Sequence, residues 1–72
     1  MDKMISVFKT SVNSKRKAKM ITAYLNSINA IRQWNFDFED RDNILRVDSS
    51  VQVSMTVIGI LNRLGFDCEE LE

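Results

Sequence analysis

The spacing of apolar residues switches along the chain, and each switch predicts an element. Ile5 to Lys9, Ile-Ser-Val-Phe-Lys, is a short β-prone run. A polar stretch follows from Thr10 to Ser14. Ala18, Ile21, Leu25 and Ile28 then recur at spacings of three, four and three, which puts them on one face of a helix. Ser14 is the expected N-cap, because its hydroxyl can accept from a free N–H one turn in. Asn29 and Ala30 follow the last apolar position, and Asn tolerates the left-handed geometry that ends many helices. From Ile31 the period becomes two. Trp34, Phe36 and Phe38 alternate with Gln33, Asn35, Asp37 and Glu39, as in a strand with one buried and one wet face. Asp40-Arg41-Asp42-Asn43 is a polar turn, and Ile44 to Val47 is β-prone again, so the pair reads as a hairpin. Leu45 and Val47 share a face with each other and with the aromatic face of the preceding strand.

The second half carries one contest between helix and strand. Val51 to Ile60 is rich in β-branched residues and contains Gly59, which costs a helix up to about 1 kcal/mol. Val57, Ile58, Leu61 and Leu64 nevertheless keep helical spacing, and Asn62-Arg63-Leu64-Gly65 ends as helices do, with Gly65 at C′. The prediction is a helix, with Asp48, Ser49 and Ser50 offering caps. Phe66, Cys68 and Leu71 then form a last strand, with Asp67, Glu69 and Glu70 facing water. The order strand, helix, strand, strand, helix, strand predicts an α+β ferredoxin-like βαββαβ sandwich. Right-handed crossovers give it a four-stranded antiparallel sheet with two helices on one face. Residues 1–72 form a single domain in this reading. Such a fold hosts many unrelated functions, so function must be argued from sites.

Composition removes several of those functions. The chain has 72 residues, 44% of them hydrophobic and 28% charged, which suits one thin core rather than disorder. It has no histidine, so a His-ligated metal and a Ser-His-Asp triad are excluded. Cys68 is its one cysteine and cannot build an internal disulfide. No apolar run approaches the roughly 20 residues that span a bilayer. Met1 is followed by Asp2 and Lys3, with no secretory pattern. A lone thiol without an export signal points to the cytoplasm. There is no nucleophile–base pair and no glycine-rich phosphate loop. Thr10 to Ser14 also lacks the arginine and the glycines of an acylphosphatase-type loop. No enzymatic activity and no cofactor are expected.

Charge changes the picture more. The chain is neutral as a whole, with ten basic and ten acidic side chains. Residues 1–36 nevertheless hold seven basic side chains against Asp2, a net +6, and residues 37–72 hold three against nine acids, a net −6. The halves can neutralise each other, or the asymmetry can orient the domain on a partner. Lys15-Arg16-Lys17, with Lys19 close by, sits in the first turn of the first helix, where the helix dipole favours acids. One reading is a solvated basic surface, partly balanced by Glu39, Asp40 and Asp42 at the same end of the fold. The other is an anion site, whose ligand would be an acidic protein surface or else a phosphate or nucleic acid.

The remaining candidates have simple readings. Cys68 points by alternation toward the core, as a small buried hydrophobe. Its closeness to the basic loop leaves a reactive thiol conceivable. Met1, Met4, Met20 and Met55 are scattered and read as core or surface packing residues rather than a thioether site. Trp34, Phe36 and Phe38 read as core beneath the helices. They are not expected to stack RNA bases, because their strand lies in an acidic region without the basic and aromatic pattern of RNA-recognition modules.

Several segments together resemble the heavy-metal-associated domains of small copper chaperones and metal-transporting ATPases. Ile21 and Leu25 are similar to that family's first-helix positions. Asn29-Ala30-Ile31-Arg32-Gln33-Trp34-Asn35-Phe36-Asp37 resembles its helix exit and second strand, and Leu61 to Cys68 (Leu-Asn-Arg-Leu-Gly-Phe-Asp-Cys) resembles its closing segment. The resemblance covers nearly the whole chain. It implies the ferredoxin-like scaffold and a Met-x-Cys-x-x-Cys loop ahead of the first helix. That loop falls here on Val12-Asn13-Ser14-Lys15-Arg16-Lys17. Val12 stands at the methionine position, Ser14 at the first cysteine and Lys17 at the second. Neither a hydroxyl nor an ammonium replaces a thiolate for a soft ion such as Cu(I). The expected function is a non-catalytic binding module whose family-type metal site is lost. It would dock an acidic protein through Ser14, Lys15, Arg16, Lys17 and Lys19. The alternative is copper binding or trafficking by an incomplete site, with Cys68 as one ligand and a partner or second copy supplying the rest. A homodimer through an edge strand is a further candidate. No membrane is expected as a partner, and nucleic acid ranks below an acidic protein.

Overall fold

The computed structural model describes residues 3–39 and 41–71. Its elements are β1 (Met4–Thr10), α1 (Lys15–Asn26), β2 (Ile31–Asp37), β3 (Ile44–Ser49), α2 (Ser54–Arg63) and β4 (Cys68–Leu71). The strands form one sheet in the order β2-β3-β1-β4, with every neighbouring pair antiparallel. This is the expected ferredoxin-like sandwich. The two strand–helix–strand units interleave, so β1 and β3, which lie next to each other in the centre, are most fully covered.

One face of the sheet carries the core. Phe8, Leu45 and Val47 are buried on that face and meet Ala18, Ile21 and Leu25 of α1 and Val57 and Leu61 of α2 in a single cluster. Phe8 lies opposite Leu45 across β1 and β3. Val12 and Val53, just ahead of the helices, complete the cluster. Ile28 falls beyond the end of α1 rather than on its face, half-buried against the same core.

The helix ends show which local signals prevailed. Ser14 caps α1 as expected, its Oγ accepting from the Lys17 N–H at 3.2 Å. At the other end Asn29 does not take a left-handed conformation. The chain leaves α1 through Ser27, whose hydroxyl donates to the Tyr24 carbonyl at 2.7 Å. Among the described residues the non-glycine residue with positive φ is Asn43 (φ 48°), in the hairpin turn. Asp48, Ser49 and Ser50 do not cap α2. Asp48 and Ser49 extend β3, because their backbone is paired with β1 and β2, and Ser50 donates its N–H to the Ala30 carbonyl at 2.9 Å. α2 starts at Ser54, where Gln52 Oε1 accepts from the Ser54 N–H at 3.3 Å and from its hydroxyl at 2.7 Å. The end of α2 is as expected. Gly65 sits at C′ with φ 92°. The Phe66 N–H reaches the Leu61 carbonyl at 2.8 Å and the Gly65 N–H the Asn62 carbonyl at 3.1 Å. Those two bonds define a Schellman end, which needs the left-handed residue that glycine supplies.

The aromatic strand departs from expectation in degree. Trp34, Phe36 and Phe38 pack against the core but are half-buried, none fully. β2 is an edge strand, so its inner face is roofed on one side only. No helix of the described residues is long and apolar enough to cross a membrane.

Candidate binding surface at the start of helix α1

The end of β1 and the segment that leads to α1 are pinned by two neighbouring segments. The Thr10 N–H donates to the Asp42 carbonyl at 3.1 Å, and the Thr10 hydroxyl donates to the Asn43 carbonyl at 2.7 Å. The same hydroxyl accepts from the Val12 N–H at 3.1 Å. Ser11 and Asp67 bind each other twice: the Ser11 N–H donates to the Asp67 carbonyl at 3.1 Å, and Ser11 Oγ accepts from the Asp67 N–H at 2.8 Å. The β1–α1 loop, the β2–β3 turn and the lead into β4 therefore meet at one end of the fold. Val12 is fully buried there and plugs the loop into the core. Thr10 and Ser11 organise this end, and the sequence reading assigned neither a role.

From this fixed base the basic residues project into solvent. Ser14 is half-buried, and its hydroxyl is committed to the helix cap. Lys15, Arg16, Lys17 and Lys19 are all exposed. The first turn of α1 holds no acidic residue. Among the described residues the ion pairs are Lys3–Asp48 at 4.0 Å and Lys9–Asp42 at 3.7 Å, and neither involves the basic cluster. Among the described residues neither Glu39 nor Asp42 forms an ion pair with the cluster, and Asp40 lies outside them. The reason is geometric. Thr10 holds the Asp42 backbone against β1, which brings its carboxylate to Lys9 instead. Met20 and Tyr24, each about half exposed, continue one and two turns along the helix from Arg16. Of the core or surface packing expected for Met20, the structure shows the surface position. Met20 adds an apolar strip beside the cations, visible only once the buried face of α1 is known. Met4 and Met55 are likewise exposed, and Met1 lies outside the described residues.

Cys68 reaches the same end from β4, in register with Thr10. It is half-buried, and burial, followed by the nearby Glu70 carboxylate, pushes its thiol up to about 11. The thiol is therefore protonated at neutral pH, the opposite of what an activated nucleophile or a soft-metal ligand needs. Iodoacetamide at neutral pH is expected to label the folded protein slowly and the urea-unfolded protein at an ordinary thiol rate; rapid labelling of the folded form would contradict this environment. An open hollow of about 460 Å³ lies beside the thiol, lined by Lys9, Thr10, Ser11, Asn62, Asp67 and Glu69 as well as Cys68. Among the described residues, no three His, Cys, Asp or Glu side chains gather to hold a metal ion.

No family model matches the chain, and no curated protein matches it in sequence. Among solved structures the chain is similar to the N-terminal domain of ZntA in its Zn(II) form, known in solution. The TM-score is 0.80 at 16% identity, over 94% of this chain and 92% of that one. The likeness is one of fold. It agrees with the scaffold that the sequence resemblance implied, and this chain carries that scaffold with a single cysteine.

Proposed function

We propose that the chain is a non-catalytic binding module of the cytoplasm. It docks an acidic protein surface through Ser14, Lys15, Arg16, Lys17 and Lys19. The observation that carries this reading is the set of four exposed cations on a pinned helix start, with no acid in the first turn and no ion pair to any of them among the described residues. The helix dipole adds positive potential at the same place. Stability alone favours acids there, so an uncompensated cluster fits recognition better than folding. Because the cations are exposed, attraction to a partner is screened by salt within about 10 Å at 0.1 M ionic strength.

The test is reversal of the triplet, K15E/R16E/K17E. Exposed charge pairs are each worth about 0.2–1 kcal/mol. Three together are expected to weaken binding of a fluorescein-labelled poly-glutamate peptide at low salt by about tenfold or more. The thermal midpoint should stay level or rise slightly, since acids suit the first turn. A single-stranded RNA oligomer, titrated in parallel, separates an acidic protein from nucleic acid. Peptide binding that survives the reversal, or tighter binding of RNA than of peptide, rejects the proposal.

The second reading, metal capture with Cys68 as one ligand, draws support from the register that sets Cys68 against Thr10 at this end. Its raised thiol pKa counts against it. The docking reading is therefore preferred.

A further inference from the structure

We propose that β2 is the interface of a symmetric homodimer, in which two copies pair their β2 strands antiparallel about Asn35 and continue the sheet across both molecules. The argument is independent of the α1 surface. An edge strand presents a row of unpaired backbone donors and acceptors, and natural proteins cover or disarm such edges. The sheet has two edges, β2 and β4. β4 is four residues long and carries Glu69 and Glu70, so pairing two copies of it would bring like charges together. β2 is seven residues long, with neither proline nor lysine. Its single irregularity is the bulge between Ile31 and Gln33, which sets Arg32 out of register.

The bulge also selects the alignment. It leaves Gln33 to Asp37 as the regular part of the edge, and the midpoint of those five residues is Asn35. A two-fold axis there places Gln33 opposite Asp37 and Trp34 opposite Phe36, each pair formed twice. Amide meets carboxylate on the helix-free face, and no like charges are opposed. On the other face each indole meets a phenyl ring. That face is already half covered and half open. Trp34 packs edge-on to Phe36 at 6.0 Å, and Phe36 stacks on Phe38 at 5.4 Å. Trp34 is further held by its Nε1–H, which donates to Asn26 Oδ1 at 3.0 Å. A second copy would supply the missing side of this aromatic row. A self-complementary strand needs no other partner, since a two-fold interface uses the same patch twice. One short strand per copy makes a small interface, so the dimer is weak and reversible.

Sedimentation equilibrium of the full chain, from about 1 µM to about 1 mM, tests the proposal. The wild type should show a concentration-dependent dimer with little salt dependence. Asn35 is exposed, so Asn35→Lys and Asn35→Asp should each fold, as cooperative thermal melting would show. Like charges on the axis should weaken dimerisation at least about tenfold in each variant. An equimolar mixture of the two should restore association, because lysine then faces aspartate. Amide exchange on the wild type gives a second readout, with protection of 33–37 that rises with protein concentration. A wild type monomeric to roughly 1 mM would leave the edge to a foreign strand and overturn the proposal. So would a dimer indifferent to both variants, or a mixture that stays monomeric.

Discussion

Phe8→Ala is expected to leave the chain largely unfolded at room temperature. Phe8 is completely buried and lies on β1, one of the two central strands. Its ring sits in the cluster that both helices share with β3. Removing it deletes the largest core side chain and leaves a cavity that α1 and α2 can fill only by leaving their places. Large-to-small changes of this kind cost about 3–5 kcal/mol. A single-core domain of roughly 70–80 residues rarely has more than about 3–5 kcal/mol in reserve. The loss and the reserve are therefore equal in size. Far-UV circular dichroism should show a collapsed thermal transition, and amide resonances should lose their dispersion. A cooperative transition within a few degrees of wild type would mean that Phe8 is not the centre of the core. Leu71→Ala offers the contrast: the residue is 37% exposed on the last strand, and its loss should leave the transition in place.

The features legible in the sequence are those written in a few consecutive residues. The N-cap at Ser14 needs only a hydroxyl ahead of an amphipathic run. The end of α2 needs only Gly65, whose missing Cβ permits φ 92°. Both stand as expected, and with them the order of elements. The features that were hidden depend on residues far away in sequence. Asp48, Ser49 and Ser50 look like a cap until β3 is paired on both sides, and then the ladder claims the first two. The alternation of Trp34, Phe36 and Phe38 tells which face they share. It does not tell how much of that face is roofed, because the strand order places β2 at the edge. The same division holds at the candidate site. Lys15, Arg16, Lys17 and Lys19 could be picked out as a charge run on a helix start. Their lack of ionic partners among the described residues could not, since it follows from Asp42 being drawn to Lys9. Nor could the exposure of Met20 and Tyr24, which depends on which face of α1 the sheet covers.

Thr10→Val should destabilise the fold by about 2–4 kcal/mol, although valine matches threonine in shape. Thr10 is 6% exposed, and its hydroxyl makes two bonds at once, donating to the Asn43 carbonyl and accepting from the Val12 N–H. Valine fills the same space but offers neither. Each buried polar group left unmatched costs about 1–3 kcal/mol, and here a donor and an acceptor are stranded together. The bond to Asn43 spans 33 residues, so its loss leaves the Thr10 N–H bond to the Asp42 carbonyl as the remaining tie from residue 10 to the β2–β3 turn. The bond to Val12 sets the path by which that side chain enters the core. Thr10→Ser keeps the hydroxyl and loses one methyl group, a change worth about 0.8 kcal/mol. Urea titrations should therefore rank wild type, Thr10→Ser and Thr10→Val in falling order, with the larger step between the last two. Amide exchange at Val12 should accelerate in Thr10→Val and stay near wild type in Thr10→Ser. If Thr10→Val matches wild type in urea, the hydroxyl is not what holds the loop. The base from which Lys15, Arg16 and Lys17 project would then be fixed by the Thr10 N–H bond to the Asp42 carbonyl and by the Ser11–Asp67 pair.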